Sequence, residues 1–457
     1  MPYRSVNPAT GEVVATFASH TDEELKSALA TASALYQSEW SRGPRRRRLE
    51  VLSRVAEVLA ERVEELARIM TEEMGKRISE ARDEVRLSAE ILRFYATHAE
   101  AFLAREKIAS PMGDVWVEYH PIGVVVAVEP WNYPYYQLAR VAGPNIAIGN
   151  PVLAKHASIV PRCAVAFEKA VADAGAPPGT WNNLFASGEQ ISALIADDRV
   201  QGVALTGSEK AGSIVAAQAA KYLKKSVMEL GGADVFAVLD DADVDRAAAA
   251  GADARLNGAG QVCNGAKRFL VHEKVAASFL DKLTRILAST KVGDPMDESV
   301  GLGPLCSVQA RDDMAAQVAR AVKAGATLHL GGSAIKGAGA FLQPTILTNI
   351  TRENPAYFEE FFGPVAQVYV VRNDDELIAL ANDSHFGLSG AIFTANVERA
   401  KALASRIETG SVWINTRSST APELPFGGVK RSGYGRELSK FGIKELVNQK
   451  MVVVANT

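Results

Sequence analysis

Val124-Val125-Val126-Ala127-Val128 is a run of five apolar residues, set off from what precedes it by Pro121 and Gly123. A stretch this short, this β-branched and this uniformly apolar reads as a strand covered on both faces. From it to about residue 414 strand and helix signals alternate. Strands are expected at 124–128, 151–155, 200–205, 225–229, 234–239, 267–272, 365–371, 388–393 and 411–415. Amphipathic segments at 161–174, 208–223, 243–256, 274–289, 307–324 and 396–407 lie between them. Apolar strands separated by helices imply an α/β fold with doubly wound parallel sheets. The glycines of Met228 to Ala233 mark the expected boundary between two such domains.

Before this region, Tyr3 to Ala18 reads as a hairpin turning at Thr10-Gly11, and Thr21 to about Arg105 reads as helices. The period of Leu25, Ala28, Leu29 and Ala32 and that of Leu49, Leu52, Val55, Leu59 and Val63 fit one buried helix face each. The run Arg45 to Arg48 reads as part of the solvated face. Asp114 to His120 alternates as a strand, and Lys450 to Val454 is a last strand with no partner near it in sequence. The two together suggest a small sheet outside both domains, whose open edges invite a second subunit.

Composition narrows the function classes. A chain of 457 residues implies two or three domains. Fifty Lys+Arg against 53 Asp+Glu gives no electrostatic case for a nucleic-acid or membrane-surface partner. No apolar run approaches the roughly 18–20 residues of a membrane helix, and no signal peptide is readable, so a cytoplasmic location is expected. Cys163, Cys263 and Cys306 are too few and scattered for a disulfide framework. The seven histidines show no metal-ligand spacing, so no metal is expected.

Four places carry chemistry. In Val203-Ala204-Leu205-Thr206-Gly207-Ser208-Glu209 a strand ends in a glycine turn with Ser208 placed to cap the next helix. Such an N-terminus suits a phosphate, although a plain strand–helix turn has the same sequence. Cys263 sits among small residues, Asn257-Gly258-Ala259-Gly260-Gln261-Val262-Cys263-Asn264-Gly265, where a ligand has access to the thiol. The alternative is a structural cysteine, the reading given to Cys163 and Cys306. Glu229 closes an apolar strand, where burial raises a carboxyl pKa as a general base requires. Asn132, in Glu129-Pro130-Trp131-Asn132-Tyr133-Pro134, is either an oxyanion donor or a turn asparagine.

Taken together, Pro130-Trp131-Asn132, Lys155, Thr206-Gly207-Ser208, Glu229-Leu230-Gly231-Gly232, Gly260-Gln261-Val262-Cys263, Glu360-Phe361-Phe362-Gly363-Pro364-Val365 and Pro425-Phe426-Gly427-Gly428-Val429-Lys430 have the order and spacing of the aldehyde dehydrogenase superfamily. The resemblance runs from about Val6 to Val453. It implies a Rossmann-like NAD(P)-binding domain from residues 1–112 and 127–230, and a catalytic domain at 231–437. Residues 113–126 and 438–457 would form the oligomerisation sheet of a homodimer or homotetramer. Cys263 would attack the aldehyde, Asn132 and the Cys263 backbone N–H would hold the oxyanion, and Glu229 would activate water to release the acid. Trp131 and Leu230 would flank the nicotinamide, Glu360 and Phe362 its ribose, Lys155 the adenosine ribose, and Gly207 and Ser208 the pyrophosphate.

Two details refine the resemblance. NAD-preferring relatives carry a glutamate three residues after the lysine, whereas Lys155-His156-Ala157-Ser158 has a serine. A hydroxyl can donate to a 2′-phosphate that a carboxylate would repel, so NADP is favoured over NAD. Ala421 to Phe426 and Lys430 to Glu437 look most like bacterial succinate-semialdehyde dehydrogenases. A carboxylated substrate wants an arginine fork. Arg140 matches one arginine of those relatives, but Asn257 stands where some have a second, and Arg417, Ser418 or Ser419 would have to compensate. Tyr133, Tyr135 and Tyr136 give the mouth an aromatic character, and the alternative is a broad-range aliphatic or aromatic aldehyde dehydrogenase.

Overall fold

The computed structural model describes residues 3–456. Tyr3–Val6 and Val13–Phe17 form the N-terminal hairpin. Helices Asp22–Gln37, Arg46–Glu61, Val63–Met74 and Ile78–Phe102 follow, as their apolar period dictates. Thr21 starts the first with a capping box in which Thr21 and Glu24 satisfy each other's backbone N–H. Arg48 departs from the expected solvated face. It is buried, and donates to the carbonyls of Gly43 and Ala147, each at 3.2 Å, and to that of Trp40. Arg46, in contrast, is exposed beside Glu50.

The first large sheet has the order Gly433–Tyr434, Lys225–Glu229, Val200–Thr206, Val124–Glu129, Val152–His156, Trp181–Asn183. All neighbours are parallel except the Gly433–Tyr434 edge. The strand Val124–Glu129 is first in the chain but central in the sheet, with later strands on both sides. The order therefore reverses there, and a crevice opens outside the carboxyl ends of Val124–Glu129 and Val200–Thr206. The second sheet runs Thr327–Leu330, Thr345–Thr348, Val365–Val371, Ala266–His272, Asp234–Val238, Ser389–Phe393, Ser411–Ile414, parallel apart from its first strand. Its core centres on Phe236, with the rings of Phe393 and Phe269 at 4.7 and 5.1 Å.

The third sheet joins distant segments. Val447–Ala455 lies antiparallel to Gly113–Pro121 along its whole length, with Lys450 opposite Glu118, and Glu106–Ile108 forms the other edge.

The chain crosses between the large sheets in four residues, Leu230-Gly231-Gly232-Ala233, from the end of Lys225–Glu229 to the start of Asp234–Val238. A Cβ on Gly232 would lie 2.6 Å from the Cys263 carbonyl oxygen, and one on Gly231 2.4 Å from Glu360 Oε2. The backbone contact requires glycine at 232, whereas a Cβ at 231 would push the Glu360 carboxylate aside. Gly232→Ala is therefore expected to destabilise the protein by about 1–3 kcal/mol in urea unfolding, as overpacking does, and to lower Cys263 reactivity in the same preparation.

Candidate active site

The two large sheets present opposite ends to one cleft. From the carboxyl ends of the first come Trp131 and Asn132, Ser158, Gly207 and Ser208, and Leu230. Just before the amino ends of strands of the second come Gly232, Cys263 and Glu360. Residues far apart in sequence thus converge because each stands within a few residues of a strand end.

Cys263 follows a tight turn, Asn257–Gly260, in which Gly258 and Ala259 adopt left-handed backbone angles. The thiol opens onto a cavity of about 310 Å³ walled by Tyr133, Tyr136, Asn257, Arg417, Ser419 and Phe426, among others. Asn132 is buried behind it and donates from its amide nitrogen to the Gln261 carbonyl, two residues before the cysteine, at 2.9 Å. Tyr133 Oη donates to Asn257 Oδ1 at 2.6 Å, closing one wall. Burial pushes the Cys263 thiol up to about 11, against the pull of the Lys267 and Arg140 cations.

Glu229 is 2% exposed and its carboxylate makes no hydrogen bond among the described residues. Its Oε1 packs where a Cβ on Gly427 would be 2.6 Å away, and the side chain does not wall the cysteine cavity. Burial, and then the neighbouring Glu437, hold its pKa well above the usual carboxylate range. A buried carboxylate without a hydrogen-bond partner is uncommon in a folded protein.

Arg140 corrects the expectation of a substrate-binding arginine. It is 1% exposed, its Nε is 2.5 Å from Glu437 Oε2, and its Nη2 donates to Thr206 Oγ1 at 2.9 Å. The rings of Tyr136 and Phe426 stand 4.8 and 4.7 Å from its guanidinium, and it does not wall the cavity. Tyr136, one turn earlier on Pro134–Ile148, walls the cavity, whereas the Arg140 guanidinium is taken up by Thr206 and Glu437. Arg417 does wall the cavity, tied to Asp253 and donating to the Ser418 carbonyl at 3.3 Å. Asn257, Tyr133 and Ser419 lie where a substrate would meet them.

On the other side, Trp131 and Phe362 meet edge to face at 5.8 Å. Glu360 Oε1 accepts from the Gly232 N–H at 3.0 Å and from Lys267 at 2.8 Å. Ser208 caps its helix, accepting from the Ala211 N–H at 3.2 Å, and Gly207 N–H is bound to the Glu229 carbonyl. Ser158 is exposed beyond Lys155. The Lys155 ammonium, its pKa lowered by burial, makes one long hydrogen bond, 3.3 Å to the His156 carbonyl. It keeps donors for an anion, so these residues fit a dinucleotide with an extra phosphate. No group of metal-ligating side chains occurs among the described residues.

The aldehyde dehydrogenase family model matches residues 1–452. The chain belongs to the aldehyde dehydrogenase family. It is 47% identical over 451 residues to the succinate-semialdehyde dehydrogenase (NADP(+)) of Deinococcus radiodurans, covering 99% of this chain and 94% of that one. It is 41% identical to the succinate semialdehyde dehydrogenase Sad, NAD(P)+, of Escherichia coli, covering 97% and 96%. A crystal structure of succinic semialdehyde dehydrogenase from Streptococcus pyogenes with NADP+ superposes with a TM-score of 0.98 at 45% identity, over 99% of this chain and all of that one.

Within this aldehyde dehydrogenase, sequence reasoning missed Lys267 and Glu437. Lys267 is buried and donates to the carbonyls of Val262, at 2.9 Å, and Cys263, at 2.5 Å, as well as to Glu360, so all three ammonium hydrogens are used. A lysine second in the apolar strand Ala266–His272 was the signal. Glu437 follows a glycine-rich loop and carries no sequence signal of its own. Because the Cys263 thiol lies near 11, alkylation by iodoacetamide in the cofactor-free protein is expected to keep rising about tenfold per pH unit beyond pH 9. A plateau by about pH 10, as for a free cysteine, would contradict the assigned burial.

Proposed function

We propose that this aldehyde dehydrogenase oxidises succinate semialdehyde to succinate with NADP, through a thioester on Cys263. The supporting observation is Arg417 on the wall of the Cys263 cavity. The acidic wall residues are already neutralised: Glu84 by Lys76, Glu80 by Arg77 at 2.6 Å, and Asp83 by Arg86 at 2.9 Å. Arg417, tied only to the half-exposed Asp253, has guanidinium donors for a distal carboxylate, and Ser419 and Thr420 stand beside it. The names borne by the relatives agree with this reading.

In the proposed mechanism, the Cys263 thiol gives up its proton to solvent in the open cavity, the thiolate Sγ adds to the aldehyde carbon, and the oxyanion that forms takes hydrogen bonds from Asn132 Nδ2 and the Cys263 N–H. NADP, when bound, supplies the hydride acceptor. Lys155 and Ser158 would hold its 2′-phosphate, Gly207 and Ser208 its pyrophosphate, and Glu360, Phe362, Trp131 and Leu230 its nicotinamide half. Loss of hydride leaves Cys263 as a thioester. Glu229, its pKa raised by burial, then takes a proton from the attacking water, and succinate leaves as the thiolate is restored. The first sheet would serve the cofactor, the second catalysis and the third assembly, with the expected limits of 1–112 with 127–230, 231–437, and 113–126 with 438–457 shifted where Val124–Glu129 and Gly433–Tyr434 join the first sheet and Glu106–Ile108 the third. The third sheet exposes Met451, Val453 and Val454, and would pair subunits of a cytoplasmic homo-oligomer.

The test is kcat/KM for succinate semialdehyde against butanal and benzaldehyde, each with NADP and with NAD. The acid with NADP is expected to lead by several hundred-fold. Arg417→Ala should raise KM for the acid at least tenfold while leaving butanal within twofold. Parity among aldehydes would replace this reading with a broad-range enzyme whose pocket is set by Tyr133, Tyr136 and Phe426.

A further inference from the structure

Asn132 precedes the helix Pro134–Ile148, whose N-cap residue Tyr133 provides no side-chain cap. The cap comes from another helix. Glu84 Oε1, from Ile78–Phe102, accepts the N–H groups of Tyr135 and Tyr136 at 2.9 and 3.1 Å. A carboxylate there satisfies two orphan donors and meets the positive end of the helix dipole. Its other oxygen is bonded to Lys76, from the turn before the same helix. Lys76 Nζ also donates to the Asn132 main-chain carbonyl at 2.8 Å and sits 3.4 Å from the centre of the Tyr133 ring. Both side chains are essentially inaccessible to solvent. Asn132 is thus held on its carbonyl by Lys76, and the residues just after Tyr133 are held on their N–H groups by Glu84.

None of the proposed chemical steps uses Lys76 or Glu84. A buried ion pair contributes little net stability compared with apolar residues of the same volume, so its worth here lies in where it puts the backbone. We propose that the buried Lys76–Glu84 pair is a positioning device for the oxyanion donor, fixing the Asn132 backbone so that Nδ2 stays beside the cysteine loop. The proposal rests on the reading of Asn132 as that donor. Oxyanion stabilisation depends on donors preset to within a fraction of an ångström, so loosening this loop slows the step that forms the thioester and leaves the cofactor crevice alone.

The test uses the full chain and the single-turnover rate of NADPH formation from succinate semialdehyde, with enzyme in excess. Lys76→Met combined with Glu84→Gln removes the bond to Asn132 but leaves a neutral buried pair with an acceptor for the helix N-terminus. This variant is expected to lose about 30–100-fold in rate, with the Kd for NADP within twofold of the parent. Placed on Asn132→Ala, the same two substitutions should cost less than threefold, because they act through a side chain already gone. A merely structural role would give the full loss in both backgrounds, and that result overturns the proposal. So does a folded variant with a rate within threefold of the parent. If Asn132→Ala alone keeps the parental rate, the oxyanion assignment falls and the positioning role with it. Should the double variant not fold, Glu84→Gln alone serves: about tenfold loss supports the proposal, and an unchanged rate overturns it.

Discussion

The four-residue crossing Leu230-Gly231-Gly232-Ala233 is the constraint on which the rest depends. It is too short to let the two sheets separate, so the carboxyl end of Lys225–Glu229 and the amino end of Asp234–Val238 share one cleft. Its glycines lie against the Cys263 carbonyl and the Glu360 carboxylate, and Lys267 binds both of those groups from the strand beside Asp234–Val238. Glu229, Cys263 and Glu360 are therefore placed by one stretch of backbone and one ammonium. Ligand crevices in open α/β sheets lie at carboxyl strand ends; here the first sheet follows that rule, and the second contributes loops that precede its strands.

The buried charges behind the site follow from the same geometry. Glu129, Glu229 and Glu437 are all buried around the single guanidinium of Arg140. Burial pushes all three upward, and the Glu437 charge adds to it for Glu129 and Glu229, against the pull of Arg140 and, at Glu229, of Arg436. That setting raises the pKa of Glu229, the direction in which a general base is tuned. It also explains why Arg140 is unavailable to a substrate: withdrawing it would leave Glu437 without a counter-ion.

Much of the fold was legible because its strands are buried on both faces. Val365–Val371 and Lys225–Glu229 have the limits expected from their apolar runs, and the pairing of Gly113–Pro121 with Val447–Ala455 follows from two alternating segments with no local partner. Cys263, Asn257 and Tyr133 were legible because each lies in or beside a motif, and Ser419 because it lies in the loop before Pro425; all four line one cavity. Arg140 was misread because nothing in its helix shows that Thr206 and Glu437, both distant in sequence, take up its guanidinium. Arg48, Lys76 and Glu84 were invisible for a different reason: in a charge-rich helical segment a buried ion looks like its solvated neighbours. Only the partner supplied by a distant element, such as the Asn132 carbonyl for Lys76, tells them apart.

The central claim is that Cys263 carries the acyl group and Glu229 releases it. Its most direct measurement is mass spectrometry of Glu229→Gln quenched after reaction with succinate semialdehyde and NADP. The account predicts one equivalent of NADPH, then a stall, with a succinyl group on the peptide that contains Cys263 and on none containing Cys163 or Cys306. Undiminished steady turnover with an unmodified Cys263 peptide would contradict it.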